Sequence, residues 1–157
     1  MNYPQYKSDL NHIYQSEVYG ANVFRMAMRF TSKLERKDKW RYLYQLEIQT
    51  LNHFRQHLTT TALTYPYPWV WAIRGHIEGI IIGLLPWKLA MKILAKETQS
   101  FILIWQRLKD HAPHKDRSFF DYVYAHEKAI EAFANLEIKK SDRSTQALKS
   151  LLNELDY

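Results

Sequence analysis

Leu10-Asn11-His12-Ile13-Tyr14-Gln15-Ser16-Glu17-Val18-Tyr19-Gly20-Ala21-Asn22-Val23-Phe24-Arg25-Met26-Ala27-Met28 decides the fold of this 157-residue chain. Leu10, Ile13, Tyr14, Ala21, Phe24 and Met28 recur at three- and four-residue steps, which is one face of a helix. Glu17 falls inside that apolar stripe. The pattern predicts a helix over about 6–33.

The same period returns over about 38–60, with Leu43, Leu46, Glu47, Leu51, Phe54 and Leu58. Three β-branched threonines, 59–61, and then Tyr65-Pro66-Tyr67-Pro68 end it, because proline restricts the residue before it. Residues 69–85 form an apolar segment with Gly75, Gly79 and Gly83 on a four-residue step. Pro86 suits the first turn of a further helix to about 108. The stretch 111–116, with Pro113, reads as a loop, and another helix follows over about 118–140. Ser141 or Asp142 is placed to cap a short last helix over 142–155. The expectation is an all-α single domain over 1–157. Its core, 6–140, is an antiparallel four-helix bundle with one extra apolar helical segment and a short C-terminal helix.

Composition agrees. Four Gly and five Pro leave little material for a turn-rich β fold, and 5 Trp, 11 Tyr and 7 Phe argue against disorder. The absence of Cys excludes disulfides, thiolate metal sites and cysteine nucleophiles. Residues 1–10 are polar and tyrosine-rich, so we expect no signal peptide and a cytoplasmic location. The net charge of +6 comes from scattered Lys and Arg, densest over 33–41. That run reads as a solvated helix boundary and turn, or as attraction to an anionic membrane surface. No nucleic-acid-binding signature accompanies it, and no nucleic-acid partner is expected.

The segment 69–85 is too interrupted to span a bilayer, which takes about 20 predominantly apolar residues. Two readings stay open: a buried bundle helix, or a helix hairpin docked on the inner face of a membrane. Its glycine ladder suits close helix packing in either case. Tyr65, Tyr67, Trp69 and Trp71 mark a membrane interface or pack an ordinary loop.

Candidate chemistry lies in four glutamates, one to each long helix: Glu17, Glu47, Glu97 and Glu127. Each sits on an apolar stripe, which either buries all four at comparable depth or leaves some of them exposed, as acids usually are. Gathering four carboxylates in a core is costly, since each ion loses several kcal/mol of hydration and they repel one another. Bound hard cations remove both objections, and bundle cores build such sites from facing helices. Glu131, one turn beyond Glu127, is a spare ligand on the same face, or it pairs with a Lys in solvent. His53 lies about 240° from Glu47, His57 about 15 Å along the axis from it, and His126 about 100° from Glu127. These three read as surface or interhelix hydrogen-bonding residues, and His76 and Glu78 as hydrogen-bonding groups inside the fold. No phosphate loop, nucleophile elbow or zinc His-Glu-x-x-His motif is present.

Glu17-Val18-Tyr19-Gly20-Ala21-Asn22-Val23-Phe24, the repeated glutamate-to-aromatic step from Glu47 to Phe54, the segment through Gly79, Gly83 and Lys88 to Glu97, and Glu127 together resemble the demethoxyubiquinone hydroxylases. The resemblance covers about 11–137. It implies a ferritin-like bundle, two iron ions held by Glu17, Glu47, Glu97 and Glu127, and an oxygen-dependent hydroxylase acting on a quinone-like apolar molecule beside a membrane. The family has a histidine three residues after its second- and fourth-helix glutamates; here those positions are Thr50 and Ile130. That departure leaves two function classes: a carboxylate-rich di-metal oxidoreductase, with iron or manganese, or a metal-free, non-catalytic scaffold binding lipid, quinone or a protein.

Overall fold

The computed structural model describes residues 4–153. Its elements are α1 (Tyr6–Phe30), α2 (Leu34–Thr60), α3 (Trp69–Leu84), α4 (Trp87–Asp110), a 3-10 turn at His114–Asp116, α5 (Arg117–Ile138) and α6 (Gln146–Asn153). Among the described residues there is no strand.

Two boundaries differ from the sequence reading. The charged run 33–41 holds the start of α2, but the boundary falls at Leu34, so most of the run is helix and not turn. Charges one turn apart pair along its surface, Lys39 with Glu35 at 2.8 Å and Arg41 with Asp38 at 2.6 Å. Such pairs support a helix. Trp40, on the inner face, is buried and donates its Nε1–H to Thr31 Oγ1 at 3.0 Å, while Thr31 donates to Gly83 O at 3.1 Å. One short turn therefore ties α1, α2 and α3 together.

At the other end, neither Ser141 nor Asp142 caps α6. Lys140 takes the left-handed conformation (φ 58°) after α5 stops at Ile138. The first α6 backbone bond then runs from Lys149 N–H to Thr145 O at 3.0 Å. Residues 154–155 of the expected helix lie outside the described residues. The chain reverses here because Glu137 is buried and gathers its neighbours: Lys39 Nζ at 2.9 Å, Trp87 Nε1 at 2.6 Å and the Ser144 hydroxyl. A buried carboxylate with this many donors is well satisfied, and it joins α2, α4 and α5 to the segment entering α6.

Side-chain pairs give the helix directions. Tyr14 stacks with Phe54 and Phe24 with Trp40, so α1 and α2 run antiparallel. Asp9 accepts from Arg107 at 2.9 Å while His12 stacks on Phe101, so α4 is antiparallel to α1. Lys109 pairs with Asp121 and Trp87 with Glu137, which makes α5 antiparallel to α4. The α2 side chains Glu47 and His57 meet His126 and Phe119 of α5 in reverse order.

Helix α3 lies against α1 in parallel, and its glycines make that possible. A Cβ on Gly75 would stand 2.6 Å from Tyr19 O, one on Gly79 2.5 Å from Val23 O, and one on Gly83 2.8 Å from Ala27 O. The opposite face is apolar and open: Val70, Ile73, Ile77, Ile81 and Leu84 are each more than half exposed. The segment is thus half packed and half bare. No helix among the described residues is long and apolar enough to cross a membrane. Of the four aromatics ahead of it, Tyr65 donates to Lys7 O and stacks on Tyr14, and Trp71 packs edge-on to His12 and Tyr19. Tyr67 and Trp69 are exposed.

The buried core falls into two apolar clusters. One gathers Phe24, Trp40, Met91, Phe133 and Leu148, and the other Leu10, Phe54, Trp105, Phe120 and Val123. The gap between them falls near positions 17, 47, 97 and 127 on the four long helices. Overpacking a tight contact typically costs 1–3 kcal/mol. Gly79→Ala should therefore destabilise the protein by about 2 kcal/mol in urea denaturation and open α3 to limited proteolysis, since the new methyl meets backbone. An unchanged midpoint would mean that α3 is not seated on α1 as described.

Candidate functional site

Three of the four glutamates are buried in the gap between the clusters. Glu17 is 1% exposed, and Glu47 and Glu127 are each 6% exposed. Glu97 is exposed. All four line one cavity of about 140 Å³, whose walls include Val23, Phe24, Ile82, Leu94 and Phe101. Glu97 therefore differs from the expectation of four equally deep carboxylates: it stands at the solvent side of the cavity. Arg74 and Glu78 of α3 also line it, Arg74 donating to Glu78 at 2.6 Å and the Tyr19 hydroxyl donating to the same carboxylate.

Burial dominates the electrostatics. Loss of hydration holds Glu17 and Glu47 well above the usual carboxylate range, and repulsion from Glu127 adds to it in both. A side-chain hydrogen bond joins the two, favouring the ionised form of Glu17 and the protonated form of Glu47. The second Glu17 oxygen, Oε2, is buried with no hydrogen-bond partner. Burial also pushes Glu127 up to about 8. Trp105 Nε1–H favours its ionised form from nearby but closes no hydrogen bond of ordinary geometry. Gly20 supplies the space: a Cβ there would lie 2.8 Å from Glu47 Oε1. The glycine inside the first-helix motif thus makes room for a carboxylate of the next helix.

The remaining candidates divide. Ile130 lines the cavity. Thr50 is fully buried, its hydroxyl 3.4 Å from the Tyr122 hydroxyl on α5. Glu131 is drawn away from the cavity to Lys128 and Gln99, so it is not a spare ligand there as placed. His53 stacks on Tyr122, and His57 stacks on Phe119 at 4.3 Å between ring centres. His76 Nδ1 lies 2.8 Å from Ala72 O, and Glu78 serves Tyr19 and Arg74.

His126 is the correction that matters. It neither reaches the surface nor hydrogen-bonds between helices. It is fully buried, both ring nitrogens lack partners, and Nε2 stands 3.7 Å from Glu47 Oε1. Burial pushes its pKa down to about 3, so the ring is neutral. Its offset of about 100° from Glu127 around α5 turns it toward α2, where Glu47 stands.

The donor chemistry fits divalent metal ions. Three buried carboxylates surround an unpartnered oxygen, a glycine clears the space, and a neutral imidazole stands beside them. As placed, no three His, Cys, Asp or Glu side chains among the described residues form a group able to hold an ion. Binding would therefore need rotation of these side chains toward one another and displacement of the shared proton.

Raised carboxylate pKa values fix the sign of a pH effect. Glu127 binds its proton more tightly in the folded chain than its ordinary value of 4.5. Its stabilising share is complete below that pH and is lost as pH rises toward about 8. At about 1.4 kcal/mol per tenfold in proton affinity the loss is roughly 5 kcal/mol. Denaturation of chelator-treated protein between these limits should show stability falling as pH rises, with a shallower slope in Glu127→Gln. A flat or rising profile would mean that these carboxylates are solvated.

No protein-family model, curated protein or solved structure matches the chain.

Proposed function

We propose that this chain is a ferritin-like bundle protein that binds divalent metal, two iron ions on the family resemblance, through Glu17, Glu47 and Glu127, with Glu97 at the cavity's solvent side. One observation carries the reading: three carboxylates from three helices are buried between two apolar clusters, with a carboxylate oxygen left unpartnered. The connectivity supports it. Hairpins α1–α2 and α4–α5 are joined by one long crossover that holds α3, the arrangement of ferritin-like four-helix bundles.

The bound ions would supply electron transfer to oxygen. The chain's own residues do the rest. Glu17, Glu47 and Glu127 would hold the ions as carboxylates, giving up any bound protons to bulk water, and the apolar walls would exclude water, which strengthens every charge interaction inside. A cavity of about 140 Å³ is the size that accepts a single aromatic ring. The proposed substrate is a quinone-like molecule whose ring enters while any apolar tail lies outside. The bare apolar face of α3 supports peripheral membrane contact as the source of such a substrate.

The metal-free or non-catalytic scaffold keeps one specific support. Position 50 presents its hydroxyl to Tyr122, and position 130 presents an aliphatic wall to the cavity. Anaerobic titration calorimetry with Fe(II) tests the metal. Saturable binding that is lost in Glu17→Gln/Glu127→Gln is the expected result; absence of binding in the folded wild type would sink the proposal. Oxygen uptake by the loaded protein above that of free Fe(II) then supports the oxidoreductase, and none supports the scaffold.

A further inference from the structure

We propose that His126 is a metal ligand of this site: its Nε2 and Glu47 Oε1 hold one ion between α5 and α2. The inference rests on the metal-binding reading above and adds a nitrogen donor at a position that the family pattern does not use.

His126 is fully buried, and neither ring nitrogen has a partner. A neutral imidazole carries one N–H and one lone pair, and each left unpaired in a core typically costs 1–3 kcal/mol. The fold keeps this side chain where a leucine would pack without such a penalty. Its Nε2 stands 3.7 Å from Glu47 Oε1. That is too long for a hydrogen bond. It is the right length for two atoms sharing an ion: with bonds of about 2.1 Å to nitrogen and oxygen, two ligands stand about 3.0 to 4.2 Å apart across the range of coordination angles.

The neighbours agree in sign and position. The Glu47 carboxyl meets both His126 Nε2, at 3.7 Å, and the Glu17 side chain, so one carboxylate can bridge an ion at His126 and an ion at the cavity. Glu127 follows His126 directly in the chain, which lets α5 offer a ligand in each of two directions. The imidazole changes which metals suit the site. All-carboxylate sites suit Mg(II), Ca(II) and Mn(II), whereas imidazole suits Fe(II), Co(II) and Zn(II). With Thr50 and Ile130 in place of the family's histidines, His126 restores one nitrogen from the facing direction. The site should prefer the second group of metals.

Co(II) is the probe, because its visible bands and paramagnetic NMR shifts report ligands without any turnover. Wild type should bind Co(II) more tightly than Mg(II) and show a hyperfine-shifted, exchangeable imidazole proton. His126→Gln should keep its fold, lose that resonance and lose at least tenfold in Co(II) affinity, more than it loses in Mg(II) affinity. Equal Co(II) affinity and an identical spectrum in the variant would overturn the ligand assignment while leaving the carboxylate site intact. Failure of wild type to bind Co(II) or Fe(II) would overturn both. Should His126→Gln not fold, wild type labelled with ¹⁵N-histidine decides the matter. One buried imidazole nitrogen shifting on addition of Zn(II) supports the assignment, and no shift at any of the seven histidines contradicts it.

Discussion

An ionised carboxylate in an apolar core has lost several kcal/mol of hydration and recovers it only from a proton, a hydrogen-bond donor or a cation. That constraint organises the middle of this molecule. Glu137 meets it with donors, since Lys39, Trp87 and Ser144 all converge on its carboxylate. Glu17, Glu47 and Glu127 do not. Burial favours their protonated forms, with repulsion from Glu127 adding to it at Glu17 and repulsion from Glu17 and Glu127 adding to it at Glu47. One chain thus holds a buried glutamate given three donors near one end and, in the middle, three buried glutamates of which Glu17 leaves an oxygen without a partner. Such a contrast is the mark of a site set apart from packing, because a structural carboxylate is usually given its donors.

Helix α1 joins the two halves of the functional reading. Its inner face carries Glu17 and, one turn on, the Gly20 gap that admits Glu47. Its other side receives the glycine ladder of α3 on the backbone at Tyr19, Val23 and Ala27. Backbone contact at this range leaves α3 no freedom to turn, so Ile73, Ile77 and Ile81 face outward. Arg74, Glu78 and Ile82 line the cavity from the same helix. Ligand chemistry, the cavity's solvent side and the bare apolar face are therefore consequences of one packing arrangement.

Much of this was legible in the sequence. The period of apolar residues on 10–28 and 43–58 gave the long helices, and glutamates interrupting those stripes marked the buried layer. Gly75, Gly79 and Gly83 announced a close helix contact. What escaped came from outside the helix concerned. Glu97 lies on an apolar stripe, but no helix covers it. The run 33–41 looked like a turn because its charges were counted without their one-turn pairing. His126 was set aside by its angle to Glu127, although the direction it faces depends on where α2 packs. The last helix starts later than a capping serine suggested, because Glu137 captures Ser144 and the chain reverses through Lys140 first.

The central claim is that the buried carboxylate layer is a metal-ion site. Crystals grown without chelator and soaked in Fe(II) or Mn(II), measured at the absorption edge of the metal, locate the ions directly. The account predicts anomalous peaks among Glu17, Glu47 and Glu127, one of them within bonding distance of Glu47 Oε1. Peaks only at exposed carboxylates such as Glu35 or Asp38, with Glu17 and Glu47 still sharing a proton, would contradict it.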